Sequence, residues 1–236
     1  MIWLINYFAD SFGNSAILKG GMELRLLGCP RYTNDIDYVF APFSSKKDVC
    51  RLVLDALKKA PELEVRHSMN SKCCRCICAY RGIQAQIEIN AAQECASQEL
   101  TTASLAYAHH QQGRIIRAMR FDVALAHKIA AWNERRLIRD LYDCSFMCAV
   151  LDVRPHIPTL ARRLARSEIR AGRKSSIISM TITELAHKLD AALTALTQAA
   201  VEEQMQDFLA PEELPGLEKK IRIGVHKLLD ALQNTQ

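Results

Sequence analysis

Asp35 and Asp37, in the run Asp35-Ile36-Asp37-Tyr38-Val39-Phe40, offer two carboxylates two residues apart. The run alternates and is rich in strand formers, so it predicts a strand from which both carboxylates project on one face. Hard oxygen ligands so paired suit Mg²⁺ (or Mn²⁺) held jointly with phosphate groups. Two such ions close together would activate an attacking oxygen and stabilise a leaving phosphate. That chemistry wants a third carboxylate. Glu88, in Ile87-Glu88-Ile89, alternates out of phase with its apolar neighbours and so faces the opposite side from them. It is the candidate third ligand or general base.

Upstream stand Lys19, Gly20 and Gly21, separated from Asp35 by thirteen residues. Adjacent glycines between a strand and a helix let the backbone approach a ligand with no Cβ in the way, and the amides that open the following helix favour phosphate. Downstream, Lys128 sits among Ala124, Leu125, Ile129 and Ala131. A lysine in such apolar company needs an anionic partner or a water route, and a triphosphate is one candidate. Arg136 with Asp140 and Arg139 with Asp143 are spaced i,i+4, which fits a structural ion-pair network as well as substrate contact. His109, His110 and His127 are read as structural, and Trp132 as core.

The elements that must carry these residues follow from periodicity. Residues 1–14 predict a helix. Ser15–Lys19 predicts a buried strand, Met22–Leu27 a short helix, and Ile36–Phe40 a strand. Ser44–Ala60 predicts a serine-capped helix with Val49, Leu52, Val53, Ala56 and Leu57 at helical spacing. Leu63–Arg66, Cys73–Tyr80 and Ile83–Ile89 predict three strands, the last two joined at Arg81-Gly82, and Ile115–Met119 one more. From Phe121 on the pattern is helical: 121–132, 137–150, 158–170, 181–208 with room for an interruption, and 215–233. The fold class expected is α+β, a mixed sheet with flanking helices followed by a helical C-terminal half. The domains expected are 1–115, catalytic, and 116–236, a helical domain completing the active site.

The stretch Ile17-Leu18-Lys19-Gly20-Gly21 through Arg31-Tyr32-Thr33-Asn34-Asp35-Ile36-Asp37 resembles the AbiEii/AbiGii-type toxin nucleotidyltransferases, within the polymerase-beta-like superfamily. A second match runs from Leu125-Ala126-His127-Lys128-Ile129 to Arg139-Asp140-Leu141-Tyr142-Asp143. Met22 stands where the family often has Thr, and Glu88 where the superfamily usually has Asp. The resemblance implies a nucleotidyltransferase-type sheet and transfer of a nucleoside monophosphate from an NTP to an acceptor hydroxyl with release of pyrophosphate. It implies Asp35, Asp37 and Glu88 as metal ligands and Lys128 as a catalytic lysine. Lys19, Gly20, Gly21, Arg31, Thr33 and Asp140 become nucleotide or phosphate contacts. It further implies the toxin of a toxin–antitoxin pair, with a cognate antitoxin as partner and an RNA acceptor such as a tRNA 3′ end. The runner-up is a catalytically inactive nucleic-acid-binding or regulatory protein on the same fold; the retention of both aspartates argues against it.

Composition is consistent with these readings. The 236 residues carry a net charge of +5, with 49% hydrophobic residues, and no apolar run approaches the length of a membrane span. The N-terminal stretch has no basic region ahead of its apolar residues, so a cytoplasmic enzyme is expected. The nine cysteines are read as thiols, with Cys74, Cys76 and Cys78 lining one buried strand face and Cys144 and Cys148 packed on a helix. Between 161 and 174, Arg162, Arg163, Arg166, Arg170, Arg173 and Lys174 face a single Glu168. On a regular helix Arg162, Arg166 and Arg170 would share one face and form an RNA-binding surface.

Overall fold

Alternation of apolar and polar residues builds the first of two units, Met1–Arg120. The computed structural model describes every residue but Lys72, Gly172, Arg173, Thr235 and Gln236, and not the side chains of 169–171, 174 and 175. The unit runs α1 (Ile2–Phe12), β1 (Ala16–Lys19), α2 (Gly21–Leu26), β2 (Asp35–Phe40), α3 (Lys46–Leu57), β3 (Glu64–Met69), β4 (Cys74–Tyr80), β5 (Ile83–Ala91), β6 (Ser97–Thr101), α4 (Ala103–Ala108) and β7 (Ile115–Met119). The strands form one seven-stranded sheet in the order β3-β4-β5-β2-β1-β7-β6. β2 runs parallel to β5, and β1 parallel to β7; the other neighbours are antiparallel. The sheet is therefore mixed, as the sequence predicts.

One face of the central strands is core. Ile36, Tyr38 and Phe40 of β2, Ala85, Ile87 and Ile89 of β5, and Cys74, Cys76 and Cys78 of β4 are all buried in a single cluster. The three cysteines line one face, as their spacing predicts. The helices α1 and α3 supply the other layer of that cluster. From α1, Phe8 stacks on Tyr38 with ring centroids 4.7 Å apart, and Phe12 meets Phe40 edge-on at 5.2 Å. Aromatic pairs of this kind add about 1 kcal/mol each beyond area burial, so β2 is held firmly from behind. Helix α3 starts where Ser45 caps it, its side chain accepting from the Asp48 amide at 3.2 Å. It buries Val49, Cys50, Val53 and Leu57, one stripe at helical spacing.

Two features of this unit depart from what the sequence predicts. Cys50 on α3 and Cys74 on β4 form a disulfide, against the expectation of thiols throughout. The helix lies over the strand in the core, and the two Cα atoms are 6.1 Å apart, within disulfide reach. Cys29, Cys73, Cys76, Cys78, Cys95, Cys144 and Cys148 remain thiols. Strand β6 and helix α4 have no counterpart in the sequence reading. Ser97-Gln98-Glu99-Leu100-Thr101 is polar and forms a strand because its backbone pairs with β7. Strand β7 lies within the sheet, and the division between the two units falls after it, at Arg120.

The second unit, Phe121–Gln236, comprises α5 (Phe121–Arg135), α6 (Ile138–Ala149), α7 (Ile157–Leu164), β8 (Ser167–Ala171), β9 (Lys174–Ile178), α8 (Ile182–Ala195), α9 (Gln198–Met205) and α10 (Leu217–Gln233). The single helix expected over 158–170 ends at Leu164, and a β8–β9 hairpin follows. Buried Ser167 makes the turn: its hydroxyl donates to the Leu164 carbonyl at 3.3 Å and accepts from the Asn133 amide at 3.2 Å. Strand formers Ile177 and Ile178 then pair with Glu168 and Ser167. Trp132 is core, as read. Among the described residues no helix is long and apolar enough to cross a membrane.

Helices α6 and α10 cross closely enough to require a glycine. A Cβ on Gly224 would overlap the backbone and hydroxyl of Ser145, whose Oγ donates to the Lys220 carbonyl at 3.1 Å. Gly224→Ala is expected to destabilise this unit by about 1–3 kcal/mol despite the better helix propensity of alanine, because overpacking a close crossing shifts backbone. Urea unfolding midpoints check it; a stabilised variant would show that the helices can part at little cost.

Candidate active site

The strand face opposite the core carries the polar residues of the same alternating runs. Pairing brings them into a row across four strands. Lys19 lies opposite Asp37, Asp37 opposite Glu88, and Glu88 opposite Arg75. One step along, Asp35 lies opposite Gln86. Asp35, Asp37 and Glu88 therefore share a face, and two of the three are direct cross-strand neighbours. Like charges in that relation repel unless something neutralises them. Here two cations flank the pair. Lys19 Nζ is 3.3 Å from Asp37 Oδ1, and Arg75 Nη2 and Nε donate to Glu88 Oε1 at 2.7 and 3.2 Å. Gln86 Nε2 donates to the same oxygen at 3.2 Å. The Glu88 side chain is 25% exposed and that of Arg75 44%, so the row is open to solutes.

The buried Cys73 thiol lies close enough to Glu88 to feel its charge. Burial first, and the Glu88 charge second, push the Cys73 pKa up and keep the thiol protonated. Arg75 and Cys73 were not expected from the sequence. The alternation that placed the cysteines on one face also places Arg75 on the other, but its meeting with Glu88 depends on strand register. In this arrangement no three His, Cys, Asp or Glu side chains among the described residues are grouped to hold a metal ion. Glu88 is turned to Arg75 instead.

The glycine pair serves Asp37 and the loop before β2. Gly20 has a φ of 81°, and a Cβ there would collide with the Asp37 carboxylate. At Gly21 a Cβ would come within 2.8 Å of Thr33 Oγ1 and 3.1 Å of Arg31 Nη2. Arg31 is 7% exposed, and its Nη1 donates to the Tyr32 carbonyl at 3.0 Å. Thr33 and the Asp35 backbone exchange long contacts of 3.4 and 3.5 Å. Lys19, Gly20, Gly21, Arg31, Thr33, Asp35, Asp37 and Glu88 thus lie on one sheet face and the α2 region bordering it. A cavity of about 490 Å³ opens beside Thr33, Tyr32 and Arg25, but none of the three carboxylates lines it.

The remaining candidates lie in the second unit. Lys128 on α5 meets Asp143 on α6 at 2.5 Å, with the Asp143 side chain 1% exposed. Arg135 binds Asp140 through two contacts of 2.6 and 3.0 Å. These pairs correct the i,i+4 pairing expected for Arg136 and Arg139. Arg136 instead stacks on Trp132, and Arg139 on Phe208. The α5–α6 turn separates Arg135 from Asp140 and brings them face to face, which helical spacing alone does not foresee. Arg162 and Arg166 are exposed, but Arg162 belongs to α7 and Arg166 follows its end. Arg170 is on β8, so the expected common helix face does not form. Arg163 is tied to Glu134 at 2.8 Å and to His127 at 3.2 Å. The side chain of Arg170 and all of Arg173 lie outside the described residues.

Residues 4–227 match the family model described as the nucleotidyl transferase AbiEii toxin of type IV toxin–antitoxin systems. No curated protein matches the chain. Among solved structures it is similar to MenT4, a nucleotidyltransferase toxin from Mycobacterium tuberculosis, at 16% identity and a TM-score of 0.59 over 99% of this chain and 84% of that one. It is also similar to JHP933 from Helicobacter pylori, at 12% identity and a TM-score of 0.54 over 98% and 90%. At such identities the likeness establishes the fold, a mixed sheet with flanking helices.

The contact between Gly20 and Asp37 can be measured as a coupling. Gly20→Ala is expected to cost about 2–4 kcal/mol, from the positive φ and the overlap with the carboxylate. In an Asp37→Ala background the overlap with the carboxylate is gone and the cost should fall by about 1–2 kcal/mol. Additive costs in a double-mutant cycle would place the two groups out of contact.

Proposed function

The chain belongs to the nucleotidyl transferase AbiEii toxin family of type IV toxin–antitoxin systems, and on that footing we propose that Asp35, Asp37 and Glu88 are the carboxylates of its transfer reaction. Membership makes the chain a nucleotidyltransferase and implies an NTP substrate and an antitoxin partner. The observation that carries the assignment is the parallel register of β2 on β5, which puts Asp37 beside Glu88 with Asp35 on the same face.

Three carboxylates on one half-exposed face are a hard-oxygen donor set that fits Mg²⁺ or Mn²⁺. The close approach of Gly20 to Asp37 keeps bulk away from that face. Bound to Asp35, Asp37 and Glu88, such ions would neutralise phosphate charge and polarise the reacting phosphorus. The chain's own groups supply the rest. Lys19 offers a point charge to the triphosphate beside Asp37. Gly20 and Gly21 leave the backbone bare for phosphate, with Arg31 and Thr33 packed against them. The acceptor oxygen attacks the α-phosphorus, the bond to the bridging oxygen breaks, and pyrophosphate leaves. Glu88 acts as third ligand or takes the proton of the attacking hydroxyl. In the second unit the same reading assigns Lys128 and Asp140 to nucleotide contact.

The acceptor we propose is RNA, with a tRNA 3′ end as the specific case, and the place of action the cytoplasm, where NTPs and RNA meet. The exposed arginines Arg162 and Arg166 support a polyanionic acceptor, and Arg170 stands in the same basic run. An inert binding protein would have no need to retain Asp35 and Asp37 together with the glycine that accommodates one of them.

Asp37→Asn should leave the circular dichroism spectrum and thermal midpoint close to wild type, since the side chain is partly exposed. It should lower transfer of labelled NTP to total RNA by at least about a hundredfold. Transfer within about threefold of wild type by the folded variant would remove Asp37 from the reaction. Label appearing in protein rather than RNA would identify a different acceptor.

A further inference from the structure

One oxygen of Glu88 is saturated. Oε1 accepts from Arg75 Nη2 at 2.7 Å, from Arg75 Nε at 3.2 Å and from Gln86 Nε2 at 3.2 Å. A carboxylate oxygen offers about two lone-pair sites, so three donors leave Oε1 nothing for another ligand. The Cys73 thiol lies against the same carboxylate. Arg75 also feels the Asp35 charge from its place on β4. Its guanidinium thus stands among the carboxylates that the transfer reading assigns to a divalent ion, and it carries charge of the same sign as that ion. We infer that Arg75 is a built-in counter-cation, a positioning residue that competes with the divalent ion for Glu88 and so sets the metal affinity of the site.

The inference rests on the carboxylate assignment made above and deepens it. Without an ion, Lys19 and Arg75 together offset two of the three negative charges on the face, and the row is stable as found. With an ion, two like charges would contend for one carboxylate, and the flexible, 44% exposed Arg75 side chain is the one able to swing away. Its planar fork would then be available to a phosphate, which it can meet through two parallel hydrogen bonds. A lysine at the same place would keep the charge but lose the fork. Arg75 is absent from the sequence signature of the two aspartates, and nothing in its own neighbourhood of cysteines marks it.

Direct Mn²⁺ binding to the full-length protein, followed by the paramagnetic resonance signal of the free ion, tests this without any turnover. Arg75→Gln should bind Mn²⁺ about tenfold more tightly than wild type, because a competing unit charge a few ångströms away is gone. Arg75→Lys should stay within about threefold of wild type, since the like charge remains. Adding Asp37→Asn to Arg75→Gln should abolish the gain. Binding that appears only in Arg75→Gln, wild type being too weak to measure, supports the inference equally. Equal or weaker binding by folded Arg75→Gln, with wild-type binding still lost on Asp37→Asn, overturns the role of Arg75 and leaves the carboxylate site standing. If Asp37→Asn changes nothing, or no variant binds Mn²⁺, the carboxylate assignment falls as well.

Discussion

Parallel pairing of β2 with β5, in the register that sets Asp37 opposite Glu88, is the constraint on which the first unit turns. Side chains alternate along a strand, so a slip of one residue would move Ile36, Tyr38 and Phe40 out of the core and both aspartates into it. The stack of Phe8 on Tyr38 and the edge contact of Phe12 with Phe40 penalise that slip from one side. The charge row penalises it from the other, since Lys19 and Arg75 would lose their carboxylates. Core packing and site chemistry are thus fixed by one choice of register. The polar half of each alternating run is held in place by the apolar half.

The two units handle charge in different ways. On the sheet face the ions are partly hydrated, and their pairs can open without leaving a bare charge in an apolar setting. In the second unit Asp143 and Asp140 are buried, and Lys128 and Arg135 are what make that burial tolerable. Removing one partner there would strand a charge at a cost of about 3–5 kcal/mol, whereas apolar replacements of both could be neutral.

Much of this could be read from the sequence. The strands β1, β2, β4, β5 and β7 and the helices α1 to α3, α5 and α6 follow from periodicity, and the face shared by Asp35 and Asp37 follows from their spacing. The nature of the family was legible in the same residues together with the second match around Lys128. What was not legible depended on partners far away in sequence. Arg75 reaches Glu88 only through the β4–β5 pairing, and Cys50 meets Cys74 only because α3 lies over β4. Strand β6 has no apolar alternation and exists through its neighbour. The basic run after Pro158 misled because arginines four apart imitate a helix, while the feature that ends α7, a buried hydroxyl on Ser167, looks in sequence like any surface serine.

The order of the strands has one more consequence, for how copies of the chain treat each other. The outermost strands are β3 and β6. The first reads Glu64-Val65-Arg66-His67-Ser68-Met69 and is almost wholly exposed; the second carries Gln98, Glu99 and Thr101. Charged and hydrophilic side chains along an open edge make the docking of a foreign strand costly, since each added backbone bond must be won against stripped hydration. The Val, Ile and aromatic strands, which would template such growth, are confined to the middle. The sheet is in this sense fenced: its margins discourage pairing with a strand from another copy.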